Sequence, residues 1–127
     1  MTLRVMVVED DPLHRKLYQA WLTGAGFQAI MVSDERDAQG VAAEQSPDIA
    51  LVDIRLPHIG GLDIIEGLKA STATASIPVM AVTVLSSRSD EEACFAAGAN
   101  RFMTKPTNMH ALMNAIVDLV GARGPSS

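Results

Sequence analysis

Acidic, hydroxyl and amine side chains stand at the ends of four short apolar runs in this chain. Glu9 and Asp10 follow the first run, Asp53 closes the second, Thr83 follows the third and Lys105 follows the fourth. If these runs are parallel strands, their carboxyl ends share one edge of the sheet, and the five residues meet there. The sequence therefore predicts one site that combines carboxylates, a hydroxyl and an ammonium group.

Three acids at one sheet edge, Glu9, Asp10 and Asp53, would repel one another. At an effective dielectric constant of about 20, like charges ~4 Å apart cost ~4 kcal/mol, so the cluster requires a cation or a raised pKa. Oxygen ligands without Cys or paired His favour Mg²⁺ or Mn²⁺, and Mg²⁺ keeps coordination positions for water and a phosphoryl oxygen. The Asp53 carboxylate could then attack phosphorus and form an acyl phosphate, whose oxygens Lys105 and Thr83 would hold.

Five short apolar segments have the pattern of buried parallel strands. They are residues 5–8, 27–31, 49–53, the segment that Pro78 opens, and 101–104. Because helical patterns separate them, the crossovers are right-handed and helices cover both faces of the sheet. The predicted fold class is α/β, a three-layer (α/β/α) sandwich around a five-stranded parallel sheet.

Five helices are predicted between and after these strands. Side-chain caps are expected at Asp11 before the first helix, at Ser89 in a capping box with Glu92 before the fourth, and at Thr107 before the last. The second helix is expected to span Asp34 to Glu44. The apolar residues of the first helix repeat at helical spacing, at Leu13, Leu17, Ala20 and Trp21.

Composition narrows the functional classes. With 127 residues the chain has the size of one domain, predicted as residues 1–122 followed by a short flexible tail at 123–127. A net charge of -5 argues against nucleic-acid binding, and no apolar stretch reaches the ~20 residues that span a bilayer. Cys94 is the single cysteine, so the chain cannot form an intramolecular disulfide, and a cytoplasmic protein is expected. His14, His58 and His110 lack metal-ligand spacing and are interpreted as surface residues.

The order of these motifs resembles the receiver domain of two-component response regulators over residues 3–121. The resemblance rests on the pair Glu9-Asp10, on Asp53 with Pro57 and Gly60-Gly61 after it, on Thr83, and on Lys105-Pro106. It is strongest to the stand-alone receivers of the CheY and DivK kind, with the DivK-like group closer. It implies a flavodoxin-like (βα)5 fold with strand order 2-1-3-4-5.

The resemblance also implies a role for each site residue. Asp53 would be the phosphoacceptor, Asp10 a direct Mg²⁺ ligand, Glu9 a second acid acting mainly through metal-bound water, and the Arg55 backbone carbonyl a further ligand. Lys105 would pair with the phosphoryl group. In addition, its bond to Pro106 would be cis, Thr83 would move toward the phosphate, and Phe102 would be the switch aromatic residue.

Two residues depart from the usual receiver pattern. Val84 follows Thr83 where a small residue is common, and its β-branched side chain is expected to narrow the access of attacking water. Phe102 lacks the hydroxyl of the more common tyrosine, so a switch there must depend on packing.

The implied function is that of a single-domain response regulator that is not an enzyme beyond its own phosphorylation and dephosphorylation. Its expected partners are a histidine kinase or histidine phosphotransfer protein and a downstream protein target, with neither nucleic acid nor membrane, and the chain is expected to be a monomer or weak dimer. The alternative is a Mg²⁺-dependent aspartyl phosphatase, which usually has a second acid where Arg55 stands. A flavin-binding protein is disfavoured because the first strand lacks a glycine- and hydroxyl-rich phosphate loop after it.

Overall fold

The structure, a computed structural model, describes residues 2–55, 60–84, 87–105 and 108–121. Strands and helices alternate along these residues, in the order β1 (Arg4–Val8), α1 (Pro12–Gly24), β2 (Gln28–Val32), a 3-10 turn (Glu35–Asp37), α2 (Ala38–Gln45), β3 (Ile49–Asp53), α3 (Gly61–Ala70), β4 (Val79–Thr83), α4 (Arg88–Ala97), β5 (Arg101–Thr104) and α5 (Met109–Gly121). In the described part of the chain, each helix is too short or too polar to cross a bilayer. The predicted tail lies outside the described residues.

The strands form one parallel sheet with the order β2-β1-β3-β4-β5. This confirms the predicted α/β class and strand order. β2 begins one residue later than predicted, and the second helix opens with the 3-10 turn before continuing as α2. Asp34 caps that turn by accepting a hydrogen bond from the Arg36 backbone N–H at 3.0 Å.

Alternate residues of the strands face two separate cores, which makes the three layers. On one face, Met6, Val8 and Val52 pack with side chains of α2, α3 and α4. On the other face, Val7 and Leu51 pack with side chains of α1 and α5. Because β1, β3 and β4 are apolar on both sides, only their carboxyl ends leave room for polar chemistry.

The sheet covers a different face of α1 from the one on which Leu13 and Leu17 lie. Tyr18 and Leu22 are buried against the sheet, whereas Leu13 and Leu17 are 71% and 44% exposed. Trp21 lies between the two faces and makes an edge-to-face ring contact with Tyr18, with centroids 6.2 Å apart. Apolar residues occupy two neighbouring faces of this helix, so helical spacing alone cannot tell which face the sheet covers.

The predicted cap of α1 is confirmed, whereas the cap of α4 differs from the prediction. Asp11 caps α1, accepting hydrogen bonds from the backbone N–H groups of Leu13 (2.8 Å) and His14 (3.3 Å). For α4, the prediction of Ser89 was wrong, because Ser87 is the cap and accepts from the Asp90 N–H at 3.2 Å. Both serines precede acids at capping-box spacing, so the local pattern was ambiguous.

The predicted cap of the last helix, Thr107, lies outside the described residues. The neighbouring Asn108 makes a capping contact, since its side-chain oxygen accepts a hydrogen bond from the Ala111 N–H at 2.8 Å. α5 therefore begins with a side-chain acceptor three residues after Lys105 in sequence.

Candidate functional site

The sheet register brings the predicted site residues to one edge. The Glu9 N–H donates to the Val32 carbonyl at 3.1 Å, which extends the β1–β2 ladder to the acidic pair. Asp53 lies opposite Val82 at the end of β3, and the Lys105 N–H donates to the Thr83 carbonyl at 2.6 Å. Four strand-to-strand connections thus bring together side chains that are far apart in sequence.

Close packing of α3 on the end of β3 depends on a glycine. A Cβ at Gly61 would overlap the Asp53 carbonyl oxygen and lie 2.5 Å from the Ile54 Cα atom. Only a hydrogen atom fits at this position, so α3 can begin at Gly61 directly beside Asp53. The close approach to the backbone of β3 is therefore the physical reason for a glycine at position 61.

Three carboxylates form the acidic part of the site. One oxygen each of Glu9, Asp10 and Asp53 lies within 4.8 Å of the other two. Glu9 is 1% and Asp53 9% exposed, and Asp10 is more open to solvent than either. Such an arrangement of hard oxygen atoms fits Mg²⁺ or Mn²⁺, because a divalent cation relieves the repulsion and the open side leaves room for water or phosphate.

Lys105 supplies the ammonium group that contacts the two buried acids. Its Nζ donates to Glu9 Oε1 at 2.6 Å and to Asp53 Oδ2 at 3.3 Å, and its side chain is 10% exposed. One ammonium group balances one of the two buried acids. The remaining negative charge is a second reason for expecting a bound cation.

The pKa of Asp53 is raised from 3.8 to about 6. Burial is the largest cause, and the nearby Glu9 carboxylate acts in the same direction. Lys105 and the Arg55 N–H, which donates to Asp53 Oδ1 at 3.1 Å, oppose the shift. Beneath the two acids, burial and their negative charge also raise the pKa of the Tyr18 phenol.

The remaining predicted residues lie around this cleft in different ways. Arg55 lines it, while metal ligation by the Arg55 carbonyl stays a prediction. Val84 also lines it, with 53% of its surface exposed, while its effect on water access stays a prediction. Thr83 is fully buried at the end of β4, and Phe102 is partly buried against the core on β5. Pro106 and its predicted cis bond lie outside the described residues.

Two residues of α1 belong to the site although sequence reasoning missed them. His14, interpreted as a surface residue, lines the cleft with Nδ1 3.2 Å from Lys105 Nζ and 3.5 Å from Glu9 Oε1. The Arg15 guanidinium donates to the backbone carbonyls of Glu9 (3.0 Å) and Asp10 (2.6 Å), and these hydrogen bonds hold the backbone of the two acids in place. Their only sequence signal is their position in the first turns of a helix that follows the acids.

The fold and the cleft define a CheY-like α/β protein with an acidic, lysine-containing site at the carboxyl edge of its sheet. The family model for the response regulator receiver domain matches residues 5–117. The chain belongs to this receiver domain family, whose members act in two-component signalling.

Curated relatives and solved structures agree with this assignment. The chain is 33% identical over 121 residues to the polar-differentiation response regulator DivK of Brucella ovis, covering 95% of this chain and 98% of that protein. It is 27% identical to the receiver domain of a sensor histidine kinase from Pseudomonas aeruginosa, solved with a magnesium ion coordinated in its active-site cleft, with a TM-score of 0.88 and coverage of 95% and 99%. Chemotaxis protein CheY4 of Vibrio cholerae shares the fold, with a TM-score of 0.89, 21% identity and coverage of 94% and 99%.

Proposed function

We propose that this receiver domain accepts a phosphoryl group on Asp53 from a phosphohistidine of a histidine kinase or phosphotransfer protein. The observation that carries the proposal is the placement of Asp53 beside a lysine and two further acids at the carboxyl edge of the sheet. The raised pKa of Asp53 adds support, because burial and Glu9 disfavour its negative charge, and a bound cation would offset that charge and the charge of the acyl phosphate.

The chemistry of the transfer follows from the contacts of Asp53. An Asp53 carboxylate oxygen attacks phosphorus, the N–P bond of the phosphohistidine breaks, and the imidazole leaves with the bonding electron pair. The Arg55 N–H fixes Oδ1 and the Lys105 ammonium approaches Oδ2, so the carboxylate is oriented before the donor arrives. A bound Mg²⁺, held by Glu9, Asp10 and Asp53, would supply the charge that offsets these acids and the phosphoryl oxygens.

We expect phosphorylation of Asp53 to change the conformation of β4 and β5. Lys105 is joined to Thr83 through its backbone and to Asp53 through its side chain, so a phosphoryl group on Asp53 alters both. We expect the Thr83 hydroxyl to approach the phosphate and the half-buried Phe102 ring to follow by packing. The changed face of α4 and β5, where Phe95 is 44% exposed, would then bind a downstream protein.

An aspartyl phosphatase is not favoured as an alternative. Arg55 occupies the position two residues after Asp53, where such enzymes usually provide a second acid. A receiver would be modified once per molecule and would not turn over a small phosphate ester. Measuring steady-state hydrolysis of such an ester with Mg²⁺ distinguishes the two functions.

The direct test is modification of the protein by acetyl phosphate in the presence of Mg²⁺. We expect one phosphoryl group per chain, detected by intact mass and lost on treatment with hydroxylamine, which cleaves acyl phosphates. Asp53→Asn should remain unmodified, whereas Asp63→Asn, an exposed acid of α3, should behave like the wild type. Modification of Asp53→Asn to the same extent as the wild type would refute the assignment of Asp53.

A second test follows the expected conformational change. Beryllofluoride with Mg²⁺ should mimic the phosphoryl group and shift amide resonances at Thr83 and Phe102. Affinity capture with wild type and Asp53→Ala, each with and without beryllofluoride, would then identify proteins that bind only the modified form. Unchanged resonances at both residues would contradict the proposed switch.

A further inference from the structure

His14 is the one imidazole that contacts the site in the described part of the chain. It lies in the first turn of α1, three residues after the capping Asp11, and its side chain is 39% exposed. Its Nδ1 atom is 3.2 Å from Lys105 Nζ, a hydrogen-bond distance between side chains 91 residues apart in sequence. Its Nδ1 atom is also 3.9 Å from Oδ2 of the capping Asp11, but the cap itself is formed by Asp11 Oδ1 with the backbone N–H groups of Leu13 and His14 and does not use the imidazole.

The Lys105 ammonium has three N–H donors and three acceptors around it. These are Glu9 Oε1 at 2.6 Å, His14 Nδ1 at 3.2 Å and Asp53 Oδ2 at 3.3 Å. The contact with Glu9 is the shortest, so the carboxylate of Glu9 alone would draw the ammonium away from Asp53. An acceptor on α1 gives the ammonium a second fixed point at the mouth of the cleft.

We propose that His14 is a positioning residue for phosphoryl transfer to Asp53. Its Nδ1 lone pair accepts a hydrogen bond from Lys105 and keeps the ammonium within reach of the Asp53 oxygen and of the phosphoryl group formed on it. In this arrangement the imidazole carries its proton on Nε2. The inference rests on the proposed function, since Lys105 must move from a carboxylate oxygen to a phosphoryl oxygen when Asp53 is modified.

Two substitutions of equal shape separate the hydrogen bond from packing. Asn places a side-chain oxygen close to the position of the imidazole Nδ1, whereas Leu has the same branched shape without an acceptor. His14→Leu should slow modification by acetyl phosphate about fivefold to tenfold, the effect expected for loss of one partly exposed hydrogen bond to a charged group. His14→Asn should retain a rate within about twofold of the wild type.

A metal-free measurement tests the contact itself. In protein without Mg²⁺, the ¹⁵N-ammonium resonance of Lys105 should be observable in the wild type and in His14→Asn, because its three protons are held by acceptors and shielded from exchange. In His14→Leu this resonance should shift and lose protection. An identical Lys105 resonance in all three proteins would overturn the proposal.

The role through Lys105 is tested by combining substitutions. In a Lys105→Ala background, His14→Leu should have no further effect on the rate, since the group that it positions is gone. An equal slowing in both backgrounds would show that His14 does not act through Lys105 and would refute its positioning role. If the wild type is modified on Asp53 and His14→Leu reacts equally fast, only this inference fails; if the wild type is not modified, the proposed function fails first.

Discussion

Replacing Asp53 with Asn is expected to stabilise the metal-free protein at neutral pH. The pKa of Asp53 is raised from 3.8 to about 6, mainly by burial and then by Glu9. Between these two values the folded protein binds more protons at this group than the unfolded chain does. The stability that Asp53 contributes is therefore greatest at acidic pH and falls as the pH rises from about 4 to about 6.

The size of this effect follows from the shift. A pKa shift of one unit corresponds to about 1.4 kcal/mol, so the charged Asp53 costs about 3 kcal/mol of folding free energy at most. The Asn side chain removes the charge but also leaves Lys105 with one partner fewer. A gain of about 1 to 3 kcal/mol at pH 7.5 is therefore expected, or several degrees in melting temperature.

Urea unfolding measures this gain directly. The free energies of unfolding of wild type and Asp53→Asn would be compared at pH 4 and pH 7.5 in a chelator, followed by Trp21 fluorescence and far-UV circular dichroism. The difference should be largest at pH 7.5 and shrink toward zero at pH 4. Asp118→Asn, the same change at an exposed position of α5, should show neither effect.

Added Mg²⁺ should reverse the order of stability at neutral pH. A ligand that binds only the folded state stabilises it by about 2.7 kcal/mol at 100 times its dissociation constant, and the wild type keeps all three acids. The reasoning would be refuted if Asp53→Asn were less stable than wild type in the chelator at pH 7.5. A difference that stayed constant with pH would refute the electrostatic cause in the same way.

Three further predictions concern the surroundings of the site. Gly61→Ala should destabilise the protein by about 2 to 3 kcal/mol in urea unfolding, because the new Cβ would overlap the backbone of β3. Gly60→Ala, whose Cβ would have its nearest neighbour 3.7 Å away, should change the free energy of unfolding little. Equal effects of the two substitutions would contradict the packing argument. Val84→Ala should shorten the lifetime of the acyl phosphate by up to about tenfold, which corresponds to a change of about 1.4 kcal/mol in the barrier to hydrolysis. The lifetime is measured by intact mass as the loss of the phosphorylated protein after the donor is removed. An unchanged or longer lifetime would mean that Val84 does not limit the access of water. Arg15→Ala should weaken Mg²⁺ binding about tenfold in a Trp21 fluorescence titration, because the backbone carbonyls of Glu9 and Asp10 lose their hydrogen-bond donor. Lys16→Ala, which removes the same charge from an exposed neighbour, should not weaken it. The same loss of affinity in both variants would point to net charge instead.

The strand ends were predictable because they depend on local patterns. Apolar runs stop abruptly at Glu9 and Asp53, and a parallel sheet must gather such ends at one edge. The Asp11 cap was equally predictable, since a side-chain acceptor before Pro12 is a local helix signal. One local prediction failed, because Ser87 and Ser89 were equivalent in sequence as candidate caps. The apolar spacing of α1 likewise did not tell which of its two faces the sheet covers.

The sequence by itself determined the alternation of strands and helices, the identity of the acids and lysine at the strand ends, and the resemblance to receiver domains. Only the tertiary structure decided that His14 reaches Lys105, that Arg15 holds the backbone of the two acids, and that α3 approaches β3 so closely at Gly61. Sequence patterns show which residues share a strand or a helix face, because the periodicity of a strand or a helix depends only on neighbouring residues of the chain. Distances between side chains on different elements depend on how the helices settle on the sheet, and that is set by the packing of the two cores.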